Sequence, residues 1–306
     1  MIFYSNPPSS VPRKDGTPLL PVAEGADSAP VHDTCQDDLV GILEFVKEKR
    51  AIDFSAYKPG TIKRRIDLRL LDTGMPDCNA YYRHLSADPA EIDLLLNALT
   101  INVSRFFRNP LVFEILKEQI LPTLIDTSPP GGLRIWCAGC ARGEEAYSIA
   151  ILLKEISPAV AATVPAFILA TDIDRSALTF AASASYRDEA LTEVKKAVLE
   201  KYFIAENNGY RLTEEIRSMV TFAWHDLATS QPPKEGIFSN YHLILCRNTL
   251  IYFKPELGER TMEFLSGVLA DGGCLVLGEA EAVPSRLHRD LREAIPRTRI
   301  FRKEVA

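Results

Sequence analysis

The fold is decided by the stretch Leu133-Arg-Ile-Trp-Cys-Ala-Gly-Cys-Ala-Arg-Gly-Glu-Glu-Ala-Tyr147 and the apolar run after it, Ser148-Ile-Ala-Ile-Leu-Leu-Lys154. Together they predict a buried strand, a loop that turns at Gly139 and Gly143, and a helix with two carboxylates in its first turn. This order is typical of an α/β sheet, which binds ligands at the carboxyl ends of its strands.

A second apolar run, Phe167-Ile-Leu-Ala-Thr-Asp-Ile-Asp174, predicts the next strand and puts Asp172 at its end. An acidic residue there, about 20–30 residues after a glycine loop, is suited to accept hydrogen bonds from both hydroxyls of a ribose. The pattern therefore predicts a site for a nucleoside.

The same loop indicates which nucleoside is bound. A dinucleotide site needs G-x-G-x-x-G, whereas this loop has only Gly139 and Gly143. Glu144 and Glu145 stand where phosphates would bind, and their carboxylates would repel a pyrophosphate but suit an ammonium group. S-adenosylmethionine (SAM) carries adenosine, an α-amino group and a sulfonium without phosphate, so the loop favours SAM over NAD or ATP.

Composition narrows the class of protein. The chain has 306 residues, 46% of them hydrophobic, and a formal net charge of −6, which predicts two domains and argues against nucleic acid as the main partner. No apolar run has the length of a membrane span, and no signal-peptide pattern is present. The six scattered cysteines suit reduced thiols. We therefore predict a cytoplasmic protein.

The chain divides into three predicted parts. Residues 1–35 are rich in Pro, Ser, Gly and Ala, which predicts a flexible tail. Helical patterns at 38–50, 61–71, 78–86, 90–98 and 110–125 predict a small all-α domain over 36–126. After the break at 126–132, alternating strands and helices predict a doubly wound, Rossmann-like α/β domain over 133–306. Asn208-Gly209 predicts a β-hairpin in a short β insert at about 201–222.

Four motifs follow one another along the chain. They run from Thr100 to Arg108 (T-x-N-x-[ST]-x-F-F-R), Gly143 to Ser148 (G-E-E-x-Y-S), Ala170 to Asp174 (A-[ST]-D-I-D) and Cys246 to Phe253 (C-R-N-x-x-I-Y-F). With them, residues 38–302 resemble the CheR-type chemotaxis receptor (MCP) methyltransferase family. The resemblance implies a SAM-dependent protein-glutamate O-methyltransferase that forms γ-glutamyl methyl esters on methyl-accepting chemotaxis receptors and releases S-adenosylhomocysteine (SAH).

The resemblance also implies a set of site residues. Its cofactor contacts, with Gly139 of the loop, fall on Asn102, Ser104, Arg108, Gly139, Glu145, Asp172, Asp226, Leu227, Arg247 and Asn248. Its reaction centre falls on Arg108 and Tyr252. A glutamate acceptor is ionised at neutral pH, so in-line methyl transfer needs alignment and exclusion of water rather than a general base. This agrees with the absence of a Ser-His-Asp set or an HExxH motif.

Several of these residues have a structural alternative. Glu144 and Glu145 also suit the dipole of the helix start, and Asp174 is best explained as a helix cap. Arg247 is equally suited to bracing the interface between domains. The remaining candidates are expected to be structural, and they are the aromatic pair Phe106 and Phe107, the histidines His225 and His242, and the Cys137-x-x-Cys140 pair, for which we predict no metal.

A helix of the N-terminal domain carries a different signal. Ile62, Ile66 and Leu70 are spaced to face the core, and a basic stripe contains Arg64, Arg65 and Arg69. A basic stripe on an acidic protein predicts an acidic docking partner, with a plain solvated face as the alternative. By resemblance, the partners are the cytoplasmic methylation helices of chemoreceptors, and the protein reaches the membrane only through the receptor.

The chain departs from the family at three places. The β insert is short, which predicts direct recognition of the methylation helix rather than tethering to a receptor's C-terminal peptide. Ala184 stands where the family usually has Gly, and Gly278-Glu-Ala-Glu281 replaces a G-H-S-E-like segment. Two alternatives therefore stay open, namely a methyltransferase of the same fold with another protein or small-molecule acceptor, and a non-catalytic module that senses SAM or SAH.

Overall fold

The computed structural model describes residues 34–129, 131–156, 165–236 and 239–305. The predicted flexible tail lies outside these residues except for 34 and 35, which begin the first helix. Among the described residues, no helix has both the length and the apolar character needed to cross a bilayer.

Four helices form the N-terminal part of the described chain: α1 (Thr34–Arg50), α2 (Pro59–Thr73), α3 (Cys78–Ala87) and α4 (Pro89–Leu99). Asp77 caps α3 and Asp88 caps α4, and α2 and α4 have proline in their first turn, where its missing N–H costs nothing. The apolar faces meet in one core that includes Ile62, Ile66 and Leu95. The predicted helical patterns are confirmed to within a few residues.

The next helical segments pack differently from the prediction. They are α5 (Pro110–Ile115), a π-helical turn (Leu116–Ile120) and α6 (Leu121–Asp126). The sequence analysis assigned them to the all-α domain, but Leu116, Ile120 and Leu124 lie in the core that also contains Leu133 and Ile149 of the sheet domain. By packing, the boundary lies near Thr100 rather than at 126.

A seven-stranded sheet with the order β6-β2-β1-β7-β8-β10-β9 forms the centre of the second domain. Its strands are β1 (Leu133–Ala138), β2 (Ala166–Asp172), β6 (Val220–Trp224), β7 (Tyr241–Cys246), β8 (Leu269–Leu277), β9 (Leu291–Glu293) and β10 (Ile300–Lys303). The first five strands of this list are parallel, and β10 is antiparallel to β8 and β9. Apolar cores lie on both faces of the sheet, so its strands are buried. The predicted doubly wound sheet is confirmed.

Further helices follow along the chain. They are α7 (Glu144–Ile156), α8 (Arg175–Ser183), α9 (Lys196–Tyr202), α10 (Glu214–Arg217) and α11 (Pro255–Val268). Asp174 caps α8 by accepting hydrogen bonds from the backbone N–H groups of Ser176 and Ala177. Ala184 ends α8 at a φ of 55°, a left-handed conformation that glycine adopts more easily.

The insert is a three-stranded antiparallel sheet rather than the predicted hairpin alone. Its strands are β3 (Ser185–Tyr186), β4 (Phe203–Glu206) and β5 (Gly209–Leu212), in the order β3-β5-β4. The tight turn falls on Asn207-Asn208, one residue before the predicted position. Gly209 has a φ of 136°, and a Cβ there would lie 2.1 Å from the carbonyl oxygen of Tyr186, so β3 requires a glycine opposite it. Residues 220–222 belong to the central sheet, not to the insert.

Candidate functional site

A cleft opens at the carboxyl ends of β1, β2 and β7. It lies where the strand order reverses between β1 and β7, which is where open α/β sheets bind ligands. The irregular segment after α4 and a loop of the helical domain complete its walls. The cleft is lined by Tyr57, Leu99, Thr100, Ile101, Val103, Ser104, Arg108, Gly139, Cys140, Ala141, Glu145, Thr171, Asp172, Ile173, His225, Leu227, Arg247, Asn248, Thr249, Tyr252 and Phe253.

The glycine loop is held tightly against the sheet. Gly139 has a φ of 74°, and a Cβ there would lie 2.3 Å from Oγ1 of Thr249, so only glycine fits. The N–H of Ala141 donates to Oδ2 of Asp172 at 2.8 Å, and the N–H of Asp174 donates to Oδ1 of Asp172 at 2.9 Å. Burial raises the pKa of Asp172 to about 6, although these backbone hydrogen bonds oppose the rise. Asp172 thus fixes the loop and lines the cleft.

Arg247 holds neighbouring groups of the site in place through hydrogen bonds. Its guanidinium donates to Glu145 at 2.6 Å, to the carbonyl of Arg108 at 3.0 Å and to the side chain of Asn109 at 2.8 Å. The Arg247 side chain is 2% exposed and that of Glu145 is 15% exposed. Arg247 therefore sets the position of Glu145 and of the segment that carries Arg108. Since all of these residues follow the boundary near Thr100, Arg247 braces the sheet domain itself rather than the interface between domains.

Glu281, which is not among the predicted site residues, holds the loop after β7 in place; we call this contact the clamp. Both carboxylate oxygens of Glu281 accept hydrogen bonds from backbone N–H groups at 2.7–2.9 Å. Oε2 accepts from Asn248 and Gly278, and Oε1 accepts from Thr249 and Leu250. Asn248 has a φ of 58°, so the clamp holds a conformation that an asparagine adopts only at a cost. The G-H-S-E-like pattern contains this signal, because its last residue aligns with Glu281 and the departure is confined to Glu279 and Ala280.

Two arginines from different parts of the chain act on Tyr252 through their charge. Partial burial raises the pKa of Tyr252, and the positive charges of Arg65 on α2 and of Arg108 oppose this rise. Tyr252 and Arg108 both line the cleft. One tyrosine at the cleft therefore lies within the fields of two cations, one from the helical domain and one from the segment that follows it.

Two predicted cofactor residues do not line the cleft. The side-chain amide of Asn102 donates to Oδ2 of Asp174, and Asp226 caps a short 3₁₀ turn by accepting from the N–H of Ala228 at 2.9 Å. Asp226 is buried, whereas its neighbour Leu227 lines the cleft. The other eight predicted contacts are brought together there, and their role in binding stays a prediction.

Glu144 and Glu145 have separate environments. Glu145 lines the cleft, whereas Glu144 lines a neighbouring groove together with Ser104, Arg142 and Tyr186. Burial raises the pKa of Glu144 to about 7, and its Oε2 has no hydrogen-bond partner. Only Glu145 is therefore available to an ammonium group in the cleft.

The three arginines of the basic stripe on α2 have different surroundings. Arg64 is exposed and Arg65 is partly buried. Arg69 forms a largely buried ion pair with Glu91 at 2.7 Å, and the Glu91 carboxylate also accepts a hydrogen bond from the hydroxyl of Tyr81. Burying Glu91 requires this cation. The docking role of Arg69 stays a prediction, and its guanidinium is already paired with Glu91 and Asp72.

The remaining candidates have structural positions. Phe106 and Phe107 lie in the sheet-domain core, and His225 bonds the carbonyl of Gln231 at 2.8 Å through Nε2. Cys137 and Cys140 are buried free thiols, and the described residues include no group of side chains arranged to hold a metal ion.

The donor set of the cleft fits SAM. Glu145 and Asp172 offer carboxylates for an ammonium group and for ribose hydroxyls, and Ile173 and Leu227 offer apolar surface for a base. At the start of α7, where a dinucleotide's phosphates would bind, Glu145 is paired with Arg247 and Glu144 is buried. A ligand with a positive charge and no phosphate suits this arrangement.

Comparison with known proteins agrees with this chemistry. The family models for the SAM-binding domain and the all-alpha domain of CheR methyltransferase match residues 102–299 and 37–100. A chemotaxis protein methyltransferase of Listeria innocua is 32% identical over 248 residues, covering 81% of this chain and 91% of that protein. A putative methyltransferase Cher3 of Pseudomonas putida is 34% identical over 271 residues, covering 86% and 95%.

Other similarities are partial. An uncharacterized 104.1 kDa protein of Rhodobacter capsulatus is 35% identical over 243 residues, and this chain spans only 25% of it. One solved structure with partial similarity is a TehB-like SAM-dependent methyltransferase from Corynebacterium glutamicum. It is 16% identical, with a TM-score of 0.33, and the match covers 59% of this chain and 83% of that protein.

These matches extend over nearly all of the described chain, and they cover both the helical domain and the sheet domain that carries the cleft. SAM is the cofactor that the matched domain binds. This chain belongs to the CheR methyltransferase family and is a SAM-dependent methyltransferase.

Proposed function

We propose that this chain methylates glutamate side chains in the cytoplasmic methylation helices of chemoreceptors and forms γ-glutamyl methyl esters. The chemotaxis protein methyltransferase of Listeria innocua, similar over nine-tenths of its length, supports this acceptor class. The observation that carries the proposal is that Arg108 and Tyr252 line the same cleft, where the positive charges of Arg108 and of Arg65 on α2 both act on Tyr252. Two such cations suit an acceptor that arrives as a carboxylate.

Residues at the strand ends would hold the cofactor. Asp172 would accept hydrogen bonds from the ribose hydroxyls, Glu145 would pair with the α-ammonium group, and Leu227 would pack against the base. When bound, SAM supplies a methyl carbon on a sulfonium, which leaves as a neutral thioether. Arg247 keeps Glu145 in place, and its own charge is neutralised there.

The chain's own residues align the acceptor rather than activate it. A glutamate side chain is ionised at neutral pH, so one carboxylate oxygen forms the new bond to carbon without loss of a proton. Arg65 and Arg108 attract and orient this carboxylate, and the ring of Tyr252 excludes water from its path. No general base is needed, and His225 lies engaged with a backbone carbonyl.

Labelled methyl transfer tests the proposal. The purified chain is incubated with methyl-labelled SAM and receptor cytoplasmic fragments, either intact or with the methylation-site glutamates replaced by alanine. We expect label that alkali releases as methanol from the intact fragment and none from the replaced one. Transfer only to a different acceptor would contradict the receptor assignment, and binding of SAH without any transfer would indicate a sensing module.

A further inference from the structure

Two short segments pair beside the cleft, and we call them the clasp: residues 55–58 of the helical domain and residues 251–254 after β7. The backbone N–H of Lys58 donates to the carbonyl of Tyr252 at 2.8 Å, and the backbone N–H of Lys254 donates to the carbonyl of Ala56 at 2.9 Å. Tyr57 and Phe253 lie opposite one another as an isolated antiparallel bridge. The two domains are thus joined by backbone pairing at this point.

The same two lysines also close the clasp with their side chains. Nζ of Lys58 donates to the carbonyl of Ile251 at 2.7 Å, and Nζ of Lys254 donates to the carbonyl of Ser55 at 2.7 Å. Each lysine therefore binds the opposite segment twice, once through its backbone and once through its ammonium group. This reciprocal arrangement fixes the register of the two segments in both directions.

The clasp forms part of the cofactor cleft. The rings of Tyr57 and Phe253 are 4.9 Å apart in an edge-to-face arrangement, and both line the cleft. Burial raises the pKa of Tyr57, and the negative charges of Asp226 and Asp172 raise it further, so the hydroxyl lies near the carboxylates at the ends of β2 and β6. A shift of the clasp would move one wall of the cleft.

The clasp also connects helix α2 to the proposed reaction centre. Helix α2 begins at Pro59, the residue after Lys58, and Tyr252 is in the middle of the opposite segment. The clasp therefore links the start of α2 directly to the segment that carries Tyr252. The position of Tyr252 relative to α2 depends on the four hydrogen bonds of the two lysines.

We propose that Lys58 and Lys254 are positioning residues, which hold Tyr252 and helix α2 in one register so that an acceptor docked on α2 presents its carboxylate beside Tyr252. The part of this inference that concerns the acceptor rests on the proposed function. The part that concerns the wall formed by Tyr57 and Phe253 depends only on cofactor binding.

The test uses the full chain with Lys58→Met, Lys254→Met and the double substitution. Methionine keeps an apolar stem and the backbone N–H but removes the ammonium donor. The matched control is Lys303→Met, because Nζ of Lys303 also donates to a backbone carbonyl, that of Leu269 at 2.8 Å, at the opposite end of the sheet. Lys254→Arg retains a cationic donor and serves as the conservative variant.

We expect each methionine variant to lower kcat at least fivefold with little change in KM for the acceptor, and to weaken SAH binding several-fold in calorimetry. The double variant is expected to lose more kcat and more SAH affinity than either single variant. Lys254→Arg should recover most of the loss, and Lys303→Met should match the parent in both quantities. A role in stability alone would lower the melting temperature without moving kcat in the folded protein. SAH affinity and kcat equal to those of the control would overturn the inference.

Hydrogen exchange adds a readout that needs no acceptor. In the unmodified chain, the amides of Lys58 and Lys254 are expected to exchange slowly and to slow further when SAH is added. Fast exchange at both amides, with or without SAH, would also overturn the clasp. If the unmodified chain transfers no methyl group to receptors, the proposed function fails, while exchange and SAH affinity still decide the clasp.

Discussion

Asp172 accepts two backbone hydrogen bonds, yet its pKa is raised to about 6 because burial outweighs them. If the ionised carboxylate accepts the ribose hydroxyls, SAH binding favours the ionised form. Affinity is then constant above pH 7 and falls as the pH drops through 6, approaching about tenfold per pH unit. Calorimetry between pH 8 and 5 should show this fall together with release of a proton on binding at the lower pH values.

The control for this prediction is Asp172→Asn, which cannot titrate at this position. Its SAH affinity should be weaker than that of the parent at pH 8 by about 1–3 kcal/mol, because ribose hydroxyls lose an ionised acceptor. Its pH dependence should be flat between 7 and 5. An equally steep dependence in the variant would show that another group is responsible.

Glu144 gives a prediction on stability. Its pKa is raised from 4.5 to about 7 by burial, so the folded state holds a proton that the unfolded state has released. With respect to this group, the free energy of unfolding is highest below pH 4.5, where the carboxyl is protonated in both states. It falls as the pH rises from 4.5 towards 7. Glu144→Gln should therefore stabilise the protein by about 2–3 kcal/mol at pH 8 and by nothing near pH 4.5.

A second carboxylate of the same helix provides the matched control. Hydrogen bonds from Lys201 and Tyr202 lower the pKa of Glu155, so its ionised form stabilises the fold above pH 4.5. Glu155→Gln should therefore destabilise the protein at pH 8, opposite in sign to Glu144→Gln. Urea unfolding at pH 8 and pH 5 measures the change in unfolding free energy for both variants. Changes of the same sign at pH 8 would show that burial does not raise the pKa of Glu144 as argued.

Sequence could predict those cleft residues that stand at strand ends. Asp172, Arg247 and Asn248 each follow an apolar run, and parallel strands bring their carboxyl ends together. Tyr57 and Glu281 could not be found in this way, because Tyr57 lies in a loop of another domain and Glu281 follows β8. Only tertiary packing brings Tyr57 to the cleft and Glu281 to the loop after β7. Asn102 belongs to an irregular segment, where no periodicity indicates the direction of a side chain.

Among the elements, the loop after β7 depends on Glu281. Glu281→Gln turns one carboxylate oxygen into an N–H donor that faces two backbone N–H groups. We expect a loss of about 2–4 kcal/mol in unfolding free energy, since each orphaned buried donor costs about 1–3 kcal/mol. SAH affinity should fall as well, because Asn248 and Tyr252 lie on this loop.

The control for Glu281 is two residues away. Glu279 is exposed and accepts a single hydrogen bond from the side chain of Asn109 at 2.9 Å. Glu279→Gln should leave stability and SAH affinity close to those of the parent. A similar loss in both variants would mean that the loop responds to charge at its surface and not to the clamp.

Substitutions on helix α2 should separate its proposed role in docking from its observed role in pairing Glu91. Reversing exposed Arg64 and half-buried Arg65 to Glu should raise KM for receptor fragments and reduce the salt dependence of the rate, without changing SAH affinity. Arg69→Ala should instead cost about 3–5 kcal/mol of stability, because it leaves the Glu91 carboxylate buried without its cation. Unchanged methyl transfer in the reversed variant would remove α2 from acceptor docking.

The elements that sequence predicted best are the long amphipathic ones. Helices α1 to α4 repeat an apolar face over three or more turns, which makes them legible from periodicity. Strand β3 has two residues and carries no pattern, so the third strand of the insert was not predictable. The turn of the hairpin was misplaced by one residue because Gly209 serves to admit β3 and not to make the turn.

On the scale of the whole molecule, packing decides where the domains divide. Helices α5 and α6 follow the all-α domain in sequence, yet they bury their apolar faces against α7 and the sheet. Sequence spacing records where a helix begins and which face is apolar, but not which core that face enters. The Pro-Gly break at 126–132 therefore marks a connection within the sheet domain.

Trp224 reports how firmly the helical domain and the sheet domain are joined. It is partly buried, packs against both the sheet-domain core and the helical core, and donates its indole N–H to the carbonyl of Ile173 at 2.9 Å. The only other tryptophan, Trp136, lies within the sheet core, so Trp136→Phe leaves a fluorescence signal from Trp224 alone.

Because the cleft is lined by both domains, ligand binding should stabilise them together. In Trp136→Phe, the Trp224 fluorescence transition on urea unfolding should coincide with the loss of helical circular dichroism. Both transitions should shift by the same free energy when SAH is added, about 2.7 kcal/mol at 100 times its Kd. If Trp224 responded at lower urea than the circular dichroism, and SAH moved only the later transition, the helical domain would separate before the sheet unfolds and would contribute nothing to cofactor binding.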